Sequence, residues 1–373
     1  MEIILIFLVS LLLTILAIPP VIILAKKYGL VDNPKQRPHP AHIHQKIIPR
    51  AGGLAIYIGV AISALLFLPL GKAFIGIFLG ITVLLITGLI DDKKRNFNPY
   101  CRLILLFLAA GCAVLAGIGI SFINNPLTHL PLLPINFTSP ILHLDQIIIP
   151  LNFYGSHKII LLADILAFIW IVALTQIINW SKGVDGQMPG ITLVTAIVLG
   201  ILSLKFYFQG DINQLPIAKL AFITAGASLG FLIFNWYPAK ILPGFSGSTI
   251  LAYLLAILAI LSGAKLATAL LVLGIPTIDF IYTIYRRVSS GHSPVWGDRG
   301  HLHHRLFDDL GWSHQKISLF YILGSVILGA IAIFVDTQSK VFALFVVATI
   351  FVGFILWLNS FGGLSKQPDQ DNG

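Results

Sequence analysis

The chain has 373 residues, 57% of them hydrophobic and only 10% charged, whereas a soluble domain carries about 25% charged residues. That balance excludes a water-soluble globular fold and identifies an integral membrane protein. The formal net charge of +9 does not call for nucleic acid, because there are no basic–aromatic runs and the excess falls in short loops.

In chain order, apolar runs of about 17–22 residues, enough to cross a bilayer, are expected near 3–25, 51–70, 73–90, 102–123, 159–178, 189–208, 215–234, 248–262, 266–284, 317–335 and 341–358. The run at 248–262 carries the weakest signal. The expected fold is all-α, a polytopic membrane helix bundle of about 10–11 transmembrane helices, with residues 1–358 as one membrane domain and 359–373 as a polar tail. The opening MEIILIFLVSLLLTILAIPPVIILAKKYG has no basic leader and no small-residue cleavage site, so it reads as a retained first span. Cys101 and Cys112 form neither a CxxC pair nor a disulfide framework.

Lysines and arginines alternate between the loops. Of 24, eighteen fall in one set of loops and six in or beside the other. The positive-inside rule puts the richer set in the cytoplasm and the N-terminus outside. Every motif-bearing loop then lies on the cytoplasmic side.

The first such loop, VDNPKQRPHPAHIHQKIIPRAGG, offers Asp32, Arg37, His39, His42, His44 and Arg50. A basic loop after a first span also fits a purely topological role. The second opens on Asp91-Asp92, adjacent carboxylates at a membrane-embedded helix end, costly unless they bind a cation or a basic partner. Residues 124–158 form one long external segment, where HLDQIIIPLNF between Pro and Gly suggests a short surface hairpin. In the third motif loop, NWSKGVDGQMPG, Asn179, Lys182 and Asp185 recur every third residue, which gathers three polar groups on a helix or tight turn. The fourth, NWYPAKILPGFSGS, is a broken turn before a helix whose free N–H groups could meet phosphate. Asp279 is a carboxylate inside an apolar run; it faces a polar cavity or pairs with Arg286 or Arg287. The longest polar interruption, Tyr285 to Lys316, packs Asp298, Arg299, His301, His303, His304 and Arg305 into eight residues. Imidazoles and guanidinia concentrated between apolar helices suit a phosphate-rich ligand at a membrane surface; taken alone, the loop fits equally a basic segment that only fixes topology or a metal-binding tract.

Together these loops resemble the polyprenyl-phosphate N-acetylhexosamine-1-phosphate transferases. The family's carboxylate pair is matched by Asp91-Asp92, its N-x-x-D-G-x-D-G-x-x-x-G by Asn179 to Gly190, and its N-x-x-P-A-x-x-x-x-G-D-x-G-S by Asn235 to Ser248. Its P-x-x-D and H-x-H-H-R-L are matched by Pro276, Asp279 and His301 to Leu306. The HLHHRL form is similar to the GlcNAc-1-phosphate transferase branch. The resemblance implies transfer of N-acetylhexosamine-1-phosphate from a UDP-sugar to polyprenyl (undecaprenyl) phosphate, with release of UMP, at the plasma membrane. Phospho-MurNAc-pentapeptide transfer and a catalytically silent binding protein are the alternatives, and a transporter ranks last. A homodimer is compatible with the resemblance.

The implied catalytic residues are Asp91, Asp92, Asp185, His301, His303 and His304, with Arg50, Asn179, Lys182, Asn235, Arg299 and Arg305 binding substrate. Mg²⁺ or Mn²⁺ is the implied cofactor, on Asp91, Asp92, Asn179 and Asp185. Two positions depart from the pattern: Lys182 stands where the family has the first Asp of DGxDG, and Phe245 where it has the Asp of GDxGS. Together they shift the formal charge by about +3, so a dication is held more weakly or on the remaining oxygens of Asp91, Asp92, Asn179 and Asp185, or else Lys182 takes over part of its work by neutralising the pyrophosphate directly.

Overall fold

A computed structural model describes residues 1–33, 46–94, 97–125, 141–152, 156–263, 265–295 and 299–362. Arg37, His39, His42, His44 and Asp298 lie outside the described residues, as does the tail beyond 362.

α1 (Glu2–Lys27) is followed by an antiparallel pair, β1 (Val31–Asp32) and β2 (Ile48–Pro49). Next come α2 (Gly52–Phe67), α3 (Lys72–Lys93) and α4 (Pro99–Leu115). The segment read as an external hairpin holds two antiparallel pairs: β3 (Phe122–Asn124) with β4 (Ile141–His143), and β5 (Ile148–Asn152) with β6 (Ser156–Ile160). The remainder is helical: α5 (Leu161–Trp180), α6 (Gln187–Phe208), α7 (Gln214–Asn235), α8 (Gly244–Leu261), α9 (Leu266–Val272), α10 (Gly274–Ser289), α11 (Leu302–Asp308), α12 (His314–Phe334) and α13 (Thr337–Gly362).

Among the described residues, eight helices are long and apolar enough to cross a membrane, and the bent pair α9–α10 makes a ninth. The shorter apolar helices α2 and α4 fill the remaining two positions of the eleven expected. This is a multi-pass helical membrane protein. Three runs differ from their expected form. The run at 102–123 stops being helical at Leu115, where Ala116 and Gly117 (φ +91°) turn the chain into β3. The run at 266–284 breaks at Leu273 with an 87° bend; Pro276 lacks the N–H that would continue the helix from Val272. The weakest run, near 248–262, begins four residues early and forms the centre of the bundle. In α8, 94% of the apolar window is buried, against 17% in α13. It packs against α2, α3, α5, α6, α7 and α9.

Without a hydrophobic drive between helices in lipid, close approach depends on small residues and side-chain hydrogen bonds. Gly226 and Gly230 of α7 lie against the α1 backbone, leaving no room for a Cβ. Ser10 on α1 donates to Ile223 O at 2.7 Å. At one end of the bundle the motif loops are tied by backbone. Leu242 N–H donates to Pro49 O (2.8 Å) and Gly52 N–H donates to Leu242 O (3.1 Å). The polar chemistry gathers at this end.

Candidate active site

Asp91 and Asp92 occupy the last turn of α3, both almost fully buried. Buried carboxylates require charge and hydrogen-bond partners, and each has them. Asp92 accepts from Phe245 N–H (2.8 Å) and Ser246 Oγ (2.9 Å) and pairs with Arg50 Nε (3.0 Å). Asp91 pairs with Arg102 Nε (2.5 Å) and lies 3.9 Å from Arg50; Arg50 also borders Asp32 at 3.8 Å. The first N–H groups of α8, expected to meet a ligand phosphate, are therefore met by Asp92. A carboxylate there satisfies orphan donors and the positive end of the helix dipole. Gly244 sits at φ +68°, and a Cβ on it would run into the Asp92 carboxylate.

Lys182 is the second centre. Its Nζ lies 2.7 Å from Asn179 Oδ1, 3.2 Å from Gly244 O and 3.3 Å from Ser248 Oγ. The Lys182 and Arg102 cations both lie over the Phe245 ring, at 5.4 and 5.7 Å from its centroid. Burial, and then the nearby Arg50 charge, pull the Lys182 ammonium down to about 7, with Asp92 and Asp91 opposing. A bound phosphate anion would raise it again.

The histidine segment is positioned from α10. Asp279 accepts from Leu302 N–H (2.8 Å) and lies 3.0 Å from His301 Nδ1. Arg287 reaches His301 Nε2 at 3.5 Å and stacks over Trp180, 4.7 Å from its ring. His301 and His303 stack nearly parallel, with His303 and His304 rings 4.3 Å apart. Asp279 thus holds His301, a partner its sequence position did not disclose. Gly183 brings the Lys182 loop against this cluster, since a Cβ there would meet the His303 imidazole. Gly183→Ala is expected to push the loop and the histidines apart. Transfer activity should fall at least tenfold with little change in thermal midpoint; unchanged activity would show the contact to be incidental.

Burial and neighbouring imidazoles depress His303 well below the ordinary histidine range, and burial with His301 and Arg299 lowers His304 to about 4. Both rings are neutral at pH 7. Because their folded affinity for protons is below the unfolded value near 6.5, the stability they contribute is complete above about pH 6.5 and is lost as pH falls toward 4. The thermal midpoint in detergent should fall through that window, and His304→Gln should flatten the fall.

Asp185 lies on another side of the loop. Its carboxylate accepts from Ala239 N–H at 3.1 Å, and its carbonyl accepts from Ser318 Oγ. It borders a cavity of about 770 Å³ lined also by Lys26, Lys46, Tyr237, Lys240 and His314. Tyr237 and His314 stack at 4.5 Å.

The structure therefore brings Arg50, Asp91, Asp92, Asn179 and Lys182 into one cluster, joined to the histidines through Trp180 and Gly183. Three expected ligand-binding residues are engaged otherwise. Asn235 is buried and spends both ends of its amide on backbone, accepting from Gly186 N–H (3.0 Å) and donating to Ile241 O (2.9 Å), so it holds two loops together. Arg299 makes a bidentate pair with Asp308, both contacts at 2.8 Å, and Arg305 pairs with Asp309 at 3.1 Å. Arg102, Ser246, Ser248 and Trp180 were missed as site residues. Arg102 reads in sequence only as a topological charge.

The residues present do not fit a bound Mg²⁺ or Mn²⁺. Such an ion needs several anionic or carbonyl oxygens in one shell. Among the described residues, no group of three or more His, Cys, Asp or Glu is arranged to hold a metal. The expected ligands already face cations or N–H groups: Asp91 and Asp92 pair with guanidinium groups, Asn179 Oδ1 meets the Lys182 ammonium, and one Asp185 oxygen accepts from Ala239 N–H.

A family model described as glycosyl transferase family 4 matches residues 74–263. The chain is 29% identical over 328 residues to the "Probable undecaprenyl-phosphate N-acetylglucosaminyl 1-phosphate transferase" of Bacillus subtilis, covering 86% of this chain and 81% of that protein. It is 28% identical over 361 residues to the decaprenyl-phosphate N-acetylglucosaminephosphotransferase of Mycolicibacterium smegmatis (88% and 81%). A phospho-N-acetylmuramoyl-pentapeptide-transferase of Moorella thermoacetica is 26% identical over 339 residues (87% and 95%).

Proposed function

The chain belongs to glycosyl transferase family 4, and on that premise we propose that it transfers N-acetylhexosamine-1-phosphate, most simply GlcNAc-1-phosphate, from a UDP-sugar to polyprenyl phosphate. This is a membrane step in building a cell-envelope glycan. The observation that carries the reading is the convergence of Arg50, Arg102 and Lys182 with Asp91, Asp92 and the histidines at one end of an apolar bundle. Phosphoryl transfer asks a protein mainly for positioning and charge stabilisation, and this cluster supplies both.

In the reaction an oxygen of the lipid phosphate dianion attacks the sugar-linked phosphorus. A new P–O bond forms, the bond from that phosphorus to the bridging oxygen breaks, and the electron pair leaves on UMP. Two dianions give two dianions, so no net proton transfer is required. Arg50 and Lys182 neutralise the converging phosphates, neutral His303 and His304 donate hydrogen bonds, and the cavity beside Asp185 accepts the nucleotide. The positive-inside distribution supports a cytoplasmic site and an external N-terminus.

The test is purified protein with radiolabelled UDP-GlcNAc and polyprenyl phosphate, followed by extraction of lipid-linked sugar. UDP-MurNAc-pentapeptide as the competing donor distinguishes the peptidoglycan branch. No lipid-linked product from any UDP-N-acetylhexosamine would end the proposal.

A further inference from the structure

We propose that the Lys182 ammonium is a built-in cation at the phosphoryl-transfer centre and that the protein works without a divalent metal; this rests on the transfer reading above. Three observations point the same way. First, Nζ faces three oxygens, Asn179 Oδ1, Gly244 O and Ser248 Oγ. An ammonium has three N–H donors and no acceptor, so this cradle matches the charged form. The contacts to Gly244 and Ser248 are long, 3.2 and 3.3 Å, and can be exchanged for phosphate oxygens.

Second, the local charge is already balanced. Arg50, Arg102 and Lys182 stand against Asp32, Asp91 and Asp92, with ion pairs of 2.5 to 3.9 Å through the two arginines. A neutral cluster exerts little pull on a dication, and an ammonium in its midst repels one. Third, the residue beside the cradle is an aromatic ring. Phe245 offers its π face to the two cations at 5.4 and 5.7 Å. Such a face attracts an organic cation but supplies no oxygen to a hard metal ion. Lys182 and Phe245 thus form one device: the ring and the oxygens fix the ammonium, and the ammonium stabilises charge building on the transferred phosphoryl oxygens and the bridging oxygen leaving with UMP.

The full-length protein in lipid nanodiscs provides the test, with Mn²⁺ as the probe. Wild type is expected to bind no Mn²⁺ by electron paramagnetic resonance and to keep its transfer rate in EDTA. Lys182→Asp/Phe245→Asp should bind one Mn²⁺ per chain, and any transfer it performs should be abolished by EDTA. Lys182→Met should lose transfer by about a hundredfold with a smaller loss of UDP-GlcNAc affinity, and Lys182→Arg should recover part of the transfer without metal. Stoichiometric Mn²⁺ binding by wild type, or loss of its transfer in EDTA, overturns the proposal. Wild type that makes no product with or without metal sinks the transfer reading instead, and the Mn²⁺ titrations of wild type and double variant still decide whether the ammonium has displaced the ion.

Discussion

Asp92→Ala is expected to eliminate transfer, by about a thousandfold or more, and to give the largest loss of stability of any single change at this end of the bundle. The carboxylate holds three things at once: the first turn of α8 through Phe245 N–H and Ser246 Oγ, the Arg50 guanidinium, and through Arg50 the neighbouring Asp91. Removing one partner of a buried ion pair leaves the other charge uncompensated, at about 3–5 kcal/mol. The orphaned N–H of Phe245 adds about 1–3 kcal/mol more. Asp92→Asn divides the two effects. The amide keeps one acceptor for the α8 N-terminus but no charge for Arg50, so the thermal midpoint should recover partly while transfer stays low. Gly244→Ala should resemble the Ala variant from the opposite side, because a Cβ at φ +68° is strained and meets the same carboxylate. Near-native transfer by Asp92→Ala would remove this cluster from the chemistry.

Why Asp92 matters was only half legible in the sequence. Two adjacent carboxylates ending an apolar run announced a site, because burial of that charge is too costly without a partner. Which partners Asp92 takes depends on contacts across 42 to 153 positions, to Arg50 and to Phe245, and local spacing holds no record of them. The same limit explains Asn235, whose motif position suggested a ligand contact but whose amide is consumed by Gly186 and Ile241. It explains Arg102 too, which composition counts only as a cytoplasmic charge. The membrane runs were legible because apolar length is a one-dimensional property. The start of α8 was less so: the turn through Pro243 and Gly244 marked the boundary, but the helix begins four residues ahead of the apolar run, and the α3 carboxylate that caps it is remote in sequence. The centrality of α8 was hidden for a related reason. A helix enclosed by protein and one facing lipid are both apolar all round, so hydropathy does not rank them.

Asp279→Ala is expected to reduce transfer by about a hundredfold through the histidine segment, 22 residues further along the chain. Asp279 is buried on α10 and gives one oxygen to Leu302 N–H (2.8 Å) and the other to His301 Nδ1 (3.0 Å). Assigned from that network, Nδ1 carries the proton and Nε2 is left as the acceptor facing Arg287 at 3.5 Å. Charge-assisted hydrogen bonds contribute about 1.5–3 kcal/mol each, so losing both should cost several kcal/mol and free the start of α11. His303 and His304 then lose their register against Gly183, and the imidazoles no longer face the Lys182 loop. Because the Arg50–Asp92 pair is held by other elements, and α11 contributes only Phe307 to the lining of the cavity beside Asp185, UDP-sugar affinity should change less than turnover. Asp279→Asn, which retains an oxygen for Leu302 but no charge for His301, should fall between wild type and Ala in turnover. A variant that loses affinity and turnover in equal measure would mean that Asp279 supports the whole polar end of the bundle, not the histidines in particular.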